Sequence, residues 1–140
     1  MTHITDLFTL KGKVAMVTGG AGLLGTEFCR TLARAGASIV VADLKGDAAG
    51  ALAGSLKDEG FSALAVAMDV TDPHSVQHSI AAALEAFGRL DILVNSAALD
   101  PKFDPEHIQE AGNSGAFESY PLEAWNQAFN MNLTGMFLCC

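Results

Sequence analysis

The chain has 140 residues, half of them apolar, and a formal net charge of −8. That length is enough for one domain with a real core, and that apolar share excludes a disordered chain. An acidic chain carries no electrostatic footprint for nucleic acid or for an anionic membrane surface. The plain reading of that charge is solubility.

Residues 1–10 read as a loose lead-in and residues 11–140 as the domain. The opening Met1-Thr2-His3-Ile4-Thr5-Asp6 has neither a basic region nor a long apolar core, so it is not read as a signal peptide. No apolar run approaches the roughly 18 residues that a membrane span requires. Residues 13–18 are nearly all apolar and predict a strand buried on both faces. Thr18-Gly19-Gly20-Ala21-Gly22-Leu23-Leu24-Gly25 follows, and a helical pattern starts near Leu23. Leu24, Phe28, Leu32 and Ala35 share one face of that helix and form its expected apolar side, with Gly36 closing it.

A second strand covers residues 37–43 and ends on Asp43. A weaker helix spans residues 46–59, its propensity lowered at Gly50 and Gly54 by roughly 1 kcal/mol each relative to alanine. The third strand is residues 62–68. Asp72-Pro73 then opens a helix with an N-cap and a proline in its first turn. Val76, Ile80, Ala83 or Leu84, and Phe87 make up its expected buried face, and Gly88 ends it. Residues 91–95 are the fourth strand. Strands and helices thus alternate at the period of βαβ units, whose right-handed crossovers give a doubly wound parallel α/β sheet of strand order 3-2-1-4.

Residues 97–120 interrupt that rhythm with Pro101, Pro105, Gly112 and Gly115. Asp104, Glu106, His107 and Glu110 of this stretch have no recognised ligand spacing and read as a solvated loop, so no metal site is expected. A last helix begins around residues 119–121. Trp125, Phe129, Leu133 and Met136 mark its apolar side, suited to core or to a subunit interface. His74 and His78 fall on the surface of the third helix. The three cysteines, Cys29, Cys139 and Cys140, are odd in number and lack metal-ligand spacing, and they read as reduced thiols of a cytoplasmic protein.

The chemistry concentrates where the strands end. A glycine turn that delivers backbone N–H groups to a helix N-terminus is a phosphate site, and Gly20, Gly22 and Gly25 spell G-x-G-x-x-G. Asp43 stands 18 residues after Gly25, close to the distance expected of a carboxylate that hydrogen-bonds both ribose hydroxyls of a dinucleotide. A carboxylate there repels a 2′-phosphate, so NAD is expected and NADP disfavoured, with nearby Lys45 working against that preference. Asp69-Val70 ends the third strand and Asn95-Ser96-Ala97-Ala98 the fourth, and ligands of open α/β sheets bind outside such ends.

Taken together, these residues resemble the short-chain dehydrogenase/reductase family. The matching set is Leu10-Lys11-Gly12-Lys13-Val14-Ala15, Thr18-Gly19 with Gly25, Asp43-Leu44, Asp69-Val70-Thr71-Asp72, Leu93-Val94-Asn95-Ser96-Ala97-Ala98, Trp125 and Asn132-Leu133-Thr134-Gly135, in the family's order over about residues 10–140. The resemblance implies a Rossmann-type fold and a hydride transfer between a nicotinamide and an alcohol or ketone. It places the pyrophosphate on the turn that holds Gly19, Gly20, Gly22, Leu23, Leu24 and Gly25. It assigns the adenosine ribose to Asp43 with Leu44 beside it, the adenine to Asp69 and the Val70 backbone, the path to the nicotinamide ribose to Asn95 and Ala97, and a water of the proton relay to Asn132. It also implies a homo-oligomer in which the last helix packs against its copy.

Three features depart from the family pattern. Leu23 occupies the middle glycine of T-G-x-x-x-G-x-G, so the turn is spelled T-G-x-x-G-x-x-G, as in the family's nucleotide-sugar epimerases and dehydratases. Ala98 replaces the glycine of N-N-A-G, which is expected to restrict the backbone beside the cofactor. The segment before Trp125 is longer than usual. In addition, the family's serine and Y-x-x-x-K pair have no counterpart: Tyr120 is the only tyrosine, Ala124 stands four residues on, and no lysine follows Lys102. The expectation is the cofactor-binding half of an NAD-dependent oxidoreductase, inactive alone, with catalytic and substrate-binding segments beyond residue 140. The competing expectations are a nucleotide-binding module without catalysis and an epimerase or dehydratase relative.

Overall fold

The computed structural model describes residues 7–99 and 120–140. Asp104, Glu106, His107 and Glu110 lie outside the described residues. Four parallel strands, β1 (Val14–Thr18), β2 (Ser38–Asp43), β3 (Ala63–Ala67) and β4 (Ile92–Asn95), lie in the order β3-β2-β1-β4. They are joined by α1 (Leu23–Arg34), α2 (Gly46–Asp58) and α3 (Pro73–Phe87). The C-terminal segment is one helix in three parts: α4 (Leu122–Phe129), a π-helical turn (Asn130–Thr134) and α5 (Gly135–Cys139). The expected doubly wound order is the observed one. Among the described residues no helix is long and apolar enough to cross a membrane.

All five residues of β1 are buried, as a run of apolar residues with a helical layer on each side requires. Side chains alternate across the sheet. Ala15, Val17, Ile39 and Val41 face α1 and α2, whereas Val14, Met16, Val40 and Ala42 face α3 and α5. The first three helices each run out on a glycine with positive φ, Gly36 (103°), Gly60 (89°) and Gly88 (73°), the left-handed stop that L side chains resist. The Asp72 carboxylate caps α3 by accepting from the His74 N–H at 2.9 Å, with Pro73 in the first turn.

The face of α1 differs from expectation, and that of α3 largely meets it. In α1 the residues against the sheet are Gly25, Cys29 and Ala33, while Leu24 is 65% exposed and Phe28 39%. The tight turn brings α1 so near the strands that only small side chains fit between, and the large ones rotate outward. In α3 the buried residues are Val76, Ser79 and Ala83. Ile80 and Phe87 are half-buried and Leu84 lies exposed. On α1, closeness to the sheet selects the face with small residues, whereas on α3 the expected Val76 and Ala83 are buried and Ile80 and Phe87 pack against the same cluster. His74 and His78 are exposed. On the C-terminal helix Trp125, Phe129, Leu133 and Met136 are all exposed rather than core, and Trp125 stacks on Phe129 with ring centres 5.0 Å apart. Only Gly135 and Cys139 of α5 are buried.

Candidate functional site at the carboxyl ends of the strands

The turn after β1 is built by close approach. A Cβ on Gly25 would lie 2.1 Å from the Gly19 carbonyl oxygen and 2.8 Å from Gly20 Cα, and one on Gly19 would lie 2.8 Å from Ala97 Cα. No side chain fits at either place. The Gly22 N–H donates to the Gly19 carbonyl at 3.0 Å, and the first helical bond runs from the Thr26 N–H to the Gly22 carbonyl at 2.9 Å. The N–H groups of Leu23, Leu24 and Gly25 therefore have no helical acceptor, and Gly22 caps α1 without a side chain. These donors, with the partial positive charge of the helix end, face the space in front of the turn. Beneath it the Cys29 thiol points at the Gly20 carbonyl, 3.8 Å away. Burial pushes that thiol up to about 11, which makes it a packing group and no nucleophile.

The ends of β1 and β4 are stitched by one hydroxyl. Thr18 Oγ1 accepts from the Ser96 N–H and the Ala97 N–H, both at 3.1 Å, and lies 3.5 Å from the Val94 carbonyl to which it donates. Thr18 is 1% exposed, so these bonds are sheltered from water. Asp43, at the end of β2, accepts from the Ala21 N–H and the Lys45 N–H, each at 3.0 Å, which holds its carboxylate against the glycine turn.

A cavity of about 370 Å³ opens here. Gly19, Gly22, Leu23, Leu24 and Gly25 line it from the turn, Asp43 and Leu44 from the end of β2, and Met68, Asp69 and Val70 from beyond β3. Ser96, Ala97 and Ala98 close it from beyond β4, and Met131 from the π-helical turn. Of the sequence-derived site residues, the structure thus brings Gly19, Gly22, Leu23, Leu24, Gly25, Asp43, Leu44, Asp69, Val70 and Ala97 to one wall.

Three others do not reach it. Gly20 lies behind the turn, where its N–H donates to the Ala42 carbonyl at 3.0 Å and a Cβ would meet Val17 O at 2.9 Å. Asn95 turns its amide toward Cys140 Sγ at 3.6 Å. Asn132 spends its side chain on the backbone of Leu99, accepting from the N–H at 2.7 Å and donating to the carbonyl at 3.0 Å. The expectation that Ala98 restricts the local backbone meets no strain, because no described non-glycine residue has positive φ.

Met68 and Met131 line the cavity without having been singled out from sequence, whereas Thr18 stood in the turn motif and the structure adds its hydroxyl as the clasp between β1 and β4. Thr18 had a signal, a hydroxyl at the last position of a buried strand that must find a partner. Met131 had none, since it reaches the cavity only because the helix widens into a π turn there.

The fold and this cavity have known counterparts. A model described as short chain dehydrogenase matches residues 13–140, and the chain belongs to that family. It is 37% identical over 129 residues to a 2,5-dichloro-2,5-cyclohexadiene-1,4-diol dehydrogenase of Sphingobium indicum, covering 92% of this chain and 47% of that protein. Identity to a D-threitol dehydrogenase of Mycolicibacterium smegmatis is 37% over 133 residues, 95% of this chain and 46% of that one. A crystallised 7α-hydroxysteroid dehydrogenase complexed with NADH and 7-oxo glycochenodeoxycholic acid superposes with a TM-score of 0.81 at 29% identity, over 99% of this chain and 49% of that one. The chain spans about half the length of these relatives.

Proposed function

We propose that this chain is the cofactor-binding half of an NAD-dependent oxidoreductase that exchanges a hydride between a nicotinamide and a secondary alcohol or ketone. The observation that carries the reading is the cavity in which the free N–H groups of the α1 N-terminus and the Asp43 carboxylate face the same space. When bound, the nicotinamide supplies the hydride acceptor or donor. The N–H groups of Leu23, Leu24 and Gly25 hold the pyrophosphate. Asp43, already oriented by the Ala21 and Lys45 N–H groups, accepts from the ribose hydroxyls and repels a 2′-phosphate, so NAD is taken over NADP. Asp69 and Val70 flank the adenine. Ala97, fixed by Thr18, borders the nicotinamide end. Asn132, one residue from the cavity wall, supports a water of the proton relay, and its side chain ties down Leu99.

The serine, tyrosine and lysine of the family's chemistry belong, on this reading, to sequence beyond Cys140, and the 140 residues alone bind without turnover. The exposed Trp125, Phe129, Leu133 and Met136 support a homo-oligomer, and the odd cysteine count goes with a cytoplasmic location. The dehydrogenase names of the relatives favour this branch over nucleotide-sugar epimerases, despite Leu23.

Calorimetric titration of the protein with NAD, NADH and NADP tests the binding. Micromolar affinity for NAD with at least tenfold weaker NADP is the expected result, and equal or tighter NADP overturns the cofactor assignment. Alcohol-dependent formation of NADH by the protein as its gene encodes it tests the reaction. Its absence across secondary alcohols and polyols, with NAD binding intact, leaves the non-catalytic nucleotide-binding module as the reading.

A further inference from the structure

Asp69 is held at the cavity wall by four hydrogen bonds. Its N–H donates to Ser75 Oγ at 2.9 Å, and its carbonyl accepts from the Asp72 N–H at 3.2 Å. Its carboxylate Oδ1 accepts twice from Thr71, from the N–H at 2.8 Å and from the hydroxyl at 2.7 Å. Thr71 and Ser75 lie on either side of the Asp72 cap, so the aspartate is bound to the start of α3, an element whose position is set by burial of Val76, Ser79 and Ala83. The two carboxylate oxygens are therefore unequal. Oδ1 is filled by two donors, and among the described residues no donor occupies Oδ2. The cavity beside it is apolar, with Leu44, Val70 and Met131. A flat base fits between such walls, and a carboxylate oxygen at its edge accepts a hydrogen and offers none.

The geometry points to Thr71 as a positioning residue: by engaging Oδ1 it presents Asp69 Oδ2 to the edge of the base, where it accepts from the 6-amino group of adenine and repels a 6-oxo group. The inference rests on the proposed placement of the adenosine end between Asp43 and Asp69. Thr71 touches neither cofactor nor substrate and acts only through the carboxylate. Discrimination between an amino and an oxo substituent needs an acceptor of fixed direction, because a carboxylate free to rotate shares its oxygens with water.

The test compares dissociation constants, by titration calorimetry on the protein as its gene encodes it, for NAD and for nicotinamide hypoxanthine dinucleotide, which carries the 6-oxo base. NAD binds about tenfold tighter, the worth of one hydrogen bond to a charged acceptor. Thr71→Val, which keeps the shape and the backbone N–H, brings that ratio to about two through weaker NAD binding alone, and Thr71→Ser restores it. A loss shared equally by both dinucleotides, or a ratio unmoved in Thr71→Val, overturns the inference, since a merely structural threonine acts that way. Asp69→Asn separates the two levels. Its amide donates to the 6-oxo group and inverts the preference. If Asp69→Asn leaves the ratio at its original value, or if neither dinucleotide binds, the placement of the adenine fails and the inference with it. If Asp69→Asn shifts the ratio and Thr71→Val does not, the placement stands and only the role of Thr71 falls.

Discussion

Asp43 and Asp91 stand at opposite ends of the same sheet, and both carboxylates accept backbone N–H groups. Asp91, just before β4, accepts from the Val14 N–H at 2.9 Å and so closes the amino end of β1 onto β4. Two cations then neutralise it. Arg89 forms a fork at 2.8 and 2.5 Å, and Lys13 Nζ lies 3.6 Å away. Asp43, at the carboxyl end, accepts from Ala21 and Lys45, but among the described residues no cation pairs with it. The Arg89 guanidinium, then the Val14 N–H, hold the Asp91 carboxyl down at about 2. One aspartate has its charge consumed by the fold. The other is aimed by the fold and keeps lone pairs toward a cavity. On the proposed reading, the carboxylate with its geometry fixed and no cation paired to it lies at the cofactor end of the sheet.

Damage at the two ends therefore separates into lost binding and lost stability. Gly25→Ala does most, because all three close neighbours of the new Cβ, Gly19 O at 2.1 Å, Gly20 Cα at 2.8 Å and Gly19 C at 2.9 Å, are backbone and cannot yield. It costs about 3 kcal/mol or more in chemical denaturation and abolishes dinucleotide binding. Gly22→Ala is the companion. Its φ of −73° suits alanine and its Cβ meets only Gly19 O at 3.2 Å, so denaturation moves by less than about 1 kcal/mol while the affinity for NAD falls. An equal stability loss in the two variants would mean that Gly22 serves the turn and not a phosphate.

Asp43→Ala comes next. Removing the acceptor for the ribose weakens NAD binding by about 10- to 100-fold (about 1.5–3 kcal/mol) and spares NADP, which calorimetry reads directly. Its melting transition shifts little, because Asp43 and its partner Ala21 are only half-buried and water replaces the lost contacts. A large drop in melting temperature with unchanged NAD affinity would put Asp43 in the same class as Asp91.

The fold was legible in the sequence because each βα unit is locally consistent. The apolar runs of β1 and β2, the Asp72-Pro73 start and the Gly36, Gly60 and Gly88 stops all act within a few residues of chain. Much of the cavity lining was legible for the same reason, since Gly19, Gly22, Gly25, Asp43, Asp69 and Ala97 sit at strand ends and strand ends converge. What was not legible depends on distances between elements. That α1 rests on Gly25, Cys29 and Ala33 rather than on Leu24 and Phe28 follows from how close the helix lies to the sheet. Met131 lines the cavity, and Gly135 seats a Cα where a Cβ would approach Val70 Cγ2 to 2.7 Å, only through packing between segments 60 residues and more apart.

Asp91→Asn tests the amino end. Its folded carboxyl lies near 2 against an ordinary 3.8, so the stability it contributes is complete above about 3.8 and is lost as pH falls through about 2. The variant is less stable at neutral pH, and its denaturation midpoint changes less than that of the parent chain between those two values. Its affinity for NAD is unchanged, and a weakened affinity would show that the two ends of the sheet are coupled.

The smallest effect serves as the control for all of these. Gly50 and Gly54 lie in α2, and an added Cβ meets nothing within 4 Å at either. Neither residue has positive φ. Gly50→Ala and Gly54→Ala therefore add no strain, restrict the unfolded chain and raise stability by about 0.5–1 kcal/mol each. Because α2 lies against the α1 side of the sheet and neither glycine lines the cavity, NAD affinity is unaltered. Thermal melts of the single and double variants should rise additively. If binding rose with them, order in α2 would be reaching Asp43 and Lys45 just upstream, and the orientation of that carboxylate would depend on the helix that follows it as well as on the turn it faces.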